Sequence, residues 1–148
     1  MPRKYFDMEL NDLNKRMTDM GDAINSRIEK CIQALRTGNL ELAEEVALSD
    51  SDIDRMEHEN EKMCMNLIAS QQPIASDLRS IAACLKILTD MEREADQCVD
   101  ICEILATSGM VDCQSLPVSH IVQAMEKVHE MFHAAMDVFL SHDVDRAL

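Results

Sequence analysis

From Leu10 to Leu35, apolar side chains recur at steps of three and four residues: Leu10, Leu13, Met17, Met20, Ile24, Ile28, Cys31 and Leu35. Only an α-helix brings residues three and four apart onto one face. A stripe that narrow is buried by other helices, as in a bundle seam. The pattern predicts a first helix over about Asp7 to Arg36. Thr37-Gly38-Asn39 ends it, with Gly38 suited to a left-handed cap and Asn39 able to cap the next helix.

Leu42, Val46, Ile53, Met56, Met63 and Leu67 form a second rail, interrupted by Ser49 and Asn60, and predict a helix over about Leu40 to Ser70. Pro73 stops it and favours an extended Gln72. A third helix is expected from about Ile74 to Ser108, with Ile81, Leu85, Leu88, Ala95, Val99 and Cys102 as its rail. With only 3 Gly, 3 Pro and 3% aromatic residues, little in the chain competes with long helices. Helices of about 30 residues are about 45 Å long, and short loops make neighbours antiparallel. The expected fold is all-α: an elongated up-down three-helix bundle over residues 1–110.

Residues 111–117 read as a linker and 118–148 as the start of a second unit. Shifting by 104 residues aligns Met17 with Ile121, Ile24 with Val128, Ile28 with Phe132, Ile32 with Met136 and Leu35 with Phe139. The turn Asn39-Leu40-Glu41-Leu42-Ala43 then meets Asp143-Val144-Asp145-Arg146-Ala147. The fourth helix, Val118 to about Ser141, is thus the first of an incomplete repeat. Its apolar face is expected to pack on another chain, making a homo-oligomer, or the 148 residues are a fragment of a two-bundle protein.

Fourteen basic against 28 acidic residues leave a formal charge of −14. That disfavours nucleic acid and anionic membrane surfaces, both of which are bound through excess cations. Five of the 6 Cys fall within predicted helices, mostly at or beside apolar positions, as reduced core thiols do. No stretch has a signal-peptide or membrane-spanning pattern, so a soluble, cytoplasmic protein is expected.

The acids are not scattered. Asp50, Asp54, Glu57 and Glu61 step by four, three and four along one side of the second helix, beside the Ile53–Met56 seam. Glu92 takes a seam step on the third helix, and Asp96 lies one turn on. Like charges at this spacing repel. The stripes are therefore either solvated faces or ligands of hard cations such as Mg²⁺, Mn²⁺, Ca²⁺ or iron. Counting outward from Pro73 brings Asp50 and Asp54 level with Glu92 and Asp96, which makes these four the leading ligands. Glu57 and Glu61 come second.

Gln71-Gln72-Pro73-Ile74-Ala75-Ser76-Asp77-Leu78-Arg79, followed by a helical run and Glu92-Arg93-Glu94-Ala95-Asp96, resembles the signature of PhoU-type regulators of phosphate uptake. The resemblance covers most of residues 7–107. It implies two similar three-helix bundles, no enzymatic activity, and a multinuclear metal cluster of iron, zinc, Mg²⁺ or Mn²⁺ on acidic motifs. Here Glu92 and Asp96 match one motif and Asp50 and Asp54 another. The implied function is negative regulation of phosphate transport and phosphate-starvation signalling, through the phosphate ABC transporter ATPase and a sensor histidine kinase. Two departures stand out: Glu94 replaces the family's usual apolar residue, and the second bundle is mostly absent. The alternative is a metal-free, coiled-coil-like oligomerisation or scaffold module with solvent-exposed stripes.

Other motifs carry less. His129-Glu130-Met131-Phe132-His133 fits the zinc-protease pattern, yet the repeat register puts both histidines on the face equivalent to Asn25 and Glu29. Glu126-x-x-His129 is one half of a di-iron pattern that needs a second helix bearing the same motif. Cys98 and Cys102, one turn apart, suit a soft metal or a plain core.

Overall fold

The computed structural model describes residues 3–109 and 112–147. It is all-helical among those residues: α1 (Arg3–Thr37), α2 (Leu40–Leu48), α3 (Asp50–Gln71), α4 (Ala75–Ser108), α5 (Leu116–Ser141) and α6 (Val144–Ala147). Three rods, α1, α2 with α3, and α4, pack around one core, and α5 lies along α1. The expected boundary at residues 110 and 111 falls outside the described residues.

Strict alternation of three and four governs what is buried. On α4 the seam runs Ile81, Cys84, Leu88, Met91, Ala95, Cys98, Cys102 and Leu105. Met91, not Glu92, therefore takes the seam step after Leu88, and Glu92 and Asp96 stand one position to the side. On α1 the same alternation continues past Ile24 to Arg27, Cys31 and Ala34, all buried. Leu13, Met17, Met20, Ile24 and Ile28 are fully enclosed. Each such side chain contributes about 1.5–3 kcal/mol by leaving water.

The second helix is not continuous. It breaks at Ser49, which caps α2 through its backbone N–H to the Val46 carbonyl, while its Oγ donates to the same oxygen at 2.7 Å. The freed Ser49 carbonyl accepts a hydrogen bond from the buried Arg27 guanidinium. The polar gap in the rail is thus a joint, and it makes Asp50 the first residue of α3. Gln72 is not extended either. It sits in the left-handed region (φ 46°, ψ 58°). The chain reverses between α3 and α4 within three residues, and a left-handed helix stop makes that reversal where an extended residue would carry the chain onward.

Gly38 has φ +65°, and the Asn39 side chain accepts the Leu42 N–H at 3.1 Å, as expected. The same device recurs 104 residues later. His142 is left-handed (φ 56°), and Asp143 Oδ1 accepts the Arg146 N–H at 3.2 Å. Both turns thus pair a left-handed stop with a side-chain cap on the following helix. An Asn39→Ala variant is expected to lose about 1 kcal/mol and about 2–4 °C of thermal midpoint, read by circular dichroism.

The face that α5 turns to α1 carries Val118, Val122, Met125 and Met136, all buried. Ile121 and Val128, aligned with Met17 and Ile24 of α1, remain 45% and 38% exposed.

Candidate metal centre

The antiparallel packing of α3 on α4 brings five of the six acids together. Asp50, Asp54 and Asp96 each offer a carboxylate oxygen within 4.8 Å of the other two; so do Asp54, Glu57 and Glu92. As α3 runs from 50 to 57, its partner on α4 runs back from 96 to 92. Asp54 belongs to both groups and joins them into one patch. Glu57, ranked second on sequence grounds, is part of it. Glu61 is exposed and belongs to neither group; its charge still reaches Glu57. Asp77 lies elsewhere, beside the turn at Pro73.

The register explains why these carboxylates lose water. Counting back from Leu67, Cys64, Asn60 and Ile53 by three and four lands on Glu57 and Asp50. Both occupy seam positions, where apolar side chains belong. Burial is accordingly the first cause of every raised carboxyl in the patch. Glu92 is pushed up to about 7 by burial, then by hydrogen bonding to and repulsion from Asp96, with Glu57 and Asp54 adding to it. Asp50 is raised by burial and by Asp96, against the pull of Arg27. Glu57 is raised by burial and by Glu61, Asp54 and Asp96, while His58 lowers it.

Asp50 Oδ1 and Asp54 Oδ1 are buried and accept no hydrogen bond within the chain, and Arg27 Nη1 is buried without an acceptor. Buried oxygens without donors are costly. A hard cation supplies what they lack: charge and direct coordination by oxygen. The donor set is carboxylate only. The nearest imidazole, His58, is exposed and touches the patch only through its field on Glu57. Arg27 could have been found from sequence, since unbroken alternation from Leu10 lands on it.

The pH dependence has a definite sign. Glu92 binds its proton more tightly folded than unfolded, so between about pH 4.5 and pH 7 the folded protein holds more protons. Stability of the metal-free protein therefore falls as pH rises through this window. The thermal midpoint of chelator-treated protein should drop between pH 5 and pH 7.5. Glu92→Gln should flatten the change, and an unaltered slope in that variant would remove Glu92 as its source.

The remaining motifs stay apart from this patch. His129 Nε2 lies 3.6 Å from Glu29 on α1, and Glu126 pairs with Arg36, so the Glu126-x-x-His129 pair braces α5 against α1. His133 is exposed.

An all-helical bundle with a carboxylate patch between two antiparallel helices offers an all-oxygen donor set of the kind that hard cations take. Its family follows from comparison. Residues 17–105 match the PhoU domain, and the chain belongs to that family. It is 34% identical over 148 residues to the phosphate-specific transport system accessory protein PhoU homolog of Clostridium acetobutylicum, covering 99% of this chain and 67% of that protein. It is 31% identical over 143 residues to the PhoU accessory protein of Serratia marcescens, covering 97% of this chain and 58% of that one. The crystal structure of PhoU from Pseudomonas aeruginosa superposes with a TM-score of 0.87 at 27% identity, over 96% of this chain and 68% of that one. The chain thus spans roughly three-fifths to two-thirds of its relatives' length. Both relatives are named as accessory proteins of a phosphate-specific transport system. No helix among the described residues is long and apolar enough to cross a membrane.

Proposed function

We propose that this chain is a cytoplasmic negative regulator of phosphate transport and phosphate-starvation signalling that works through protein contacts and carries a carboxylate-bound metal cluster. The observation that carries the metal assignment is the pair of carboxylate groups sharing Asp54, two of whose buried oxygens lack donors. Asp50, Asp54 and Asp96 would hold one ion and Asp54, Glu57 and Glu92 a second, with Asp54 bridging. Glu61 would act only through its field. All-oxygen ligation suits Mg²⁺, Mn²⁺ or iron better than zinc. The relatives' names support the transport role, and its partners would be the transporter ATPase and a sensor histidine kinase. The exposed Ile121 and Val128 on α5 support a homodimer.

Metal analysis of natively purified protein tests the centre. The wild type should retain metal through desalting and a Glu92→Ala/Asp96→Ala variant should not; equal content in both removes the assignment. Deleting the gene should raise a phosphate-starvation reporter in phosphate-rich medium. An unmoved reporter would remove the regulatory role whatever the metal result.

A further inference from the structure

A second set of ligand-type side chains lies elsewhere in the bundle, and it is made of sulfur. Cys31 on α1, Cys98 and Cys102 on α4, and Met125 on α5 are all buried, the first and third completely. None is in a disulfide. Cys31 Sγ is the hub. It lies 4.0 Å from Met125 Sδ and 3.7 Å from the Cys98 carbonyl oxygen, with the Cys102 and Cys98 thiols close enough to act on it electrostatically. The backbones of α4 and α5 are not in close approach, and the Cys31 sulfur on α1 lies between them.

We propose that this cluster binds one soft monovalent metal ion of the copper(I) class, with Cys31, Cys102 and Met125 as ligands. Thiolate and thioether sulfur are the donors that select such an ion over the hard cations suited to the carboxylate patch. One edge of such a site is already in place: sulfurs about 2.3 Å from a metal at the centre of a triangle stand about 4.0 Å apart, and Cys31 Sγ and Met125 Sδ are 4.0 Å apart. Two thiolates and a monovalent ion leave a single negative charge, within the field of the buried Arg27 guanidinium. Two thiol protons leave for solvent as the ion enters, with no change of oxidation state.

Local lifting of α5, whose close backbone contacts are with α1 and α6, would expose Cys31 to an entering ion. A bound ion would then fasten α5 to the core through Met125.

The test is anaerobic competition for copper(I) against bicinchoninate, using the reduced full chain. The wild type should withdraw one equivalent. Cys31→Ala/Cys102→Ala should weaken binding at least about 100-fold, and Met125→Leu, which conserves volume, about tenfold. Cys64→Ala/Cys84→Ala, which removes the other buried thiol pair, should bind as the wild type does. Asp54→Asn should also leave copper(I) binding unchanged, which separates this site from the carboxylate patch. X-ray absorption of the loaded wild type should show a sulfur-only shell. The proposal is overturned if the wild type withdraws no copper(I), if the Cys64/Cys84 variant loses it, or if Met125→Leu binds as tightly as the wild type.

Discussion

Asp54→Asn is expected to empty both halves of the carboxylate patch at once. Asp54 is the one side chain common to the Asp50–Asp96 and Glu57–Glu92 groups, so removing its charge takes a ligand from each ion and the bridge between them. Metal retained per chain should fall to near background. Apparent affinity for Mn²⁺ should drop by about 100-fold or more, the upper end of what even an outer-shell change costs. Asp96→Asn touches only one group and should leave roughly half of the metal. Asparagine has nearly the size of aspartate, and Asp54 accepts no hydrogen bond that folding depends on. The metal-free variant should therefore be at least as stable as the wild type, since one of several repelling charges is gone. Isothermal titration and elemental analysis read the first effect, and thermal melts the second. Equal losses for Asp54→Asn and Asp96→Asn would mean that Asp54 is not shared.

Arg27→Ala should be the most damaging single change near the patch. The Arg27 side chain is 94% buried, donates to the Ser49 carbonyl at the α2–α3 joint, and holds down the Asp50 carboxyl. Its removal leaves a buried carbonyl unpaired, a carboxylate without its counter-charge, and a cavity. Breaking one partner out of a buried charged set costs about 3–5 kcal/mol, or roughly 10 °C of midpoint for a chain this size. A divalent cation should restore more stability to Arg27→Ala than to the wild type, because it brings back the positive charge that Asp50 has lost. A midpoint within about 2 °C of wild type would show that Arg27 does not hold the joint.

The fold was largely legible because helical period is a local property. The rails of α1 and α4, the stops at Gly38 and Gly109, and the Asn39 cap follow from residues within a few positions of one another. Register on the seams is less forgiving. On α4 strict alternation after Leu88 falls on Met91, with Glu92 one position to the side; on α1 it falls on Arg27, which is buried beside an equally buried Ile28. Held strictly, the alternation also exposes Asp50 and Glu57 as seam residues on α3. The break at Ser49 had a signal, a polar gap in an apolar rail, but a gap alone does not distinguish a joint from a solvated turn. The Arg27 guanidinium reaching the freed carbonyl does.

The acids themselves, their faces and the antiparallel pairing of their helices were determined by sequence alone, because spacing on a helix and a proline-marked reversal need no knowledge of distant residues. The sulfur cluster was visible only as Cys98 and Cys102 one turn apart. Which acid meets which across the groove, that Asp54 is common to both groups, and that Cys31 and Met125 join those thiols were decided by tertiary structure. The reason is geometric. Cross-helix distances depend on the stagger set by a left-handed Gln72 and a broken helix at Ser49, and at 1.5 Å per residue a shift of one or two positions is enough to make or break a shared ligand.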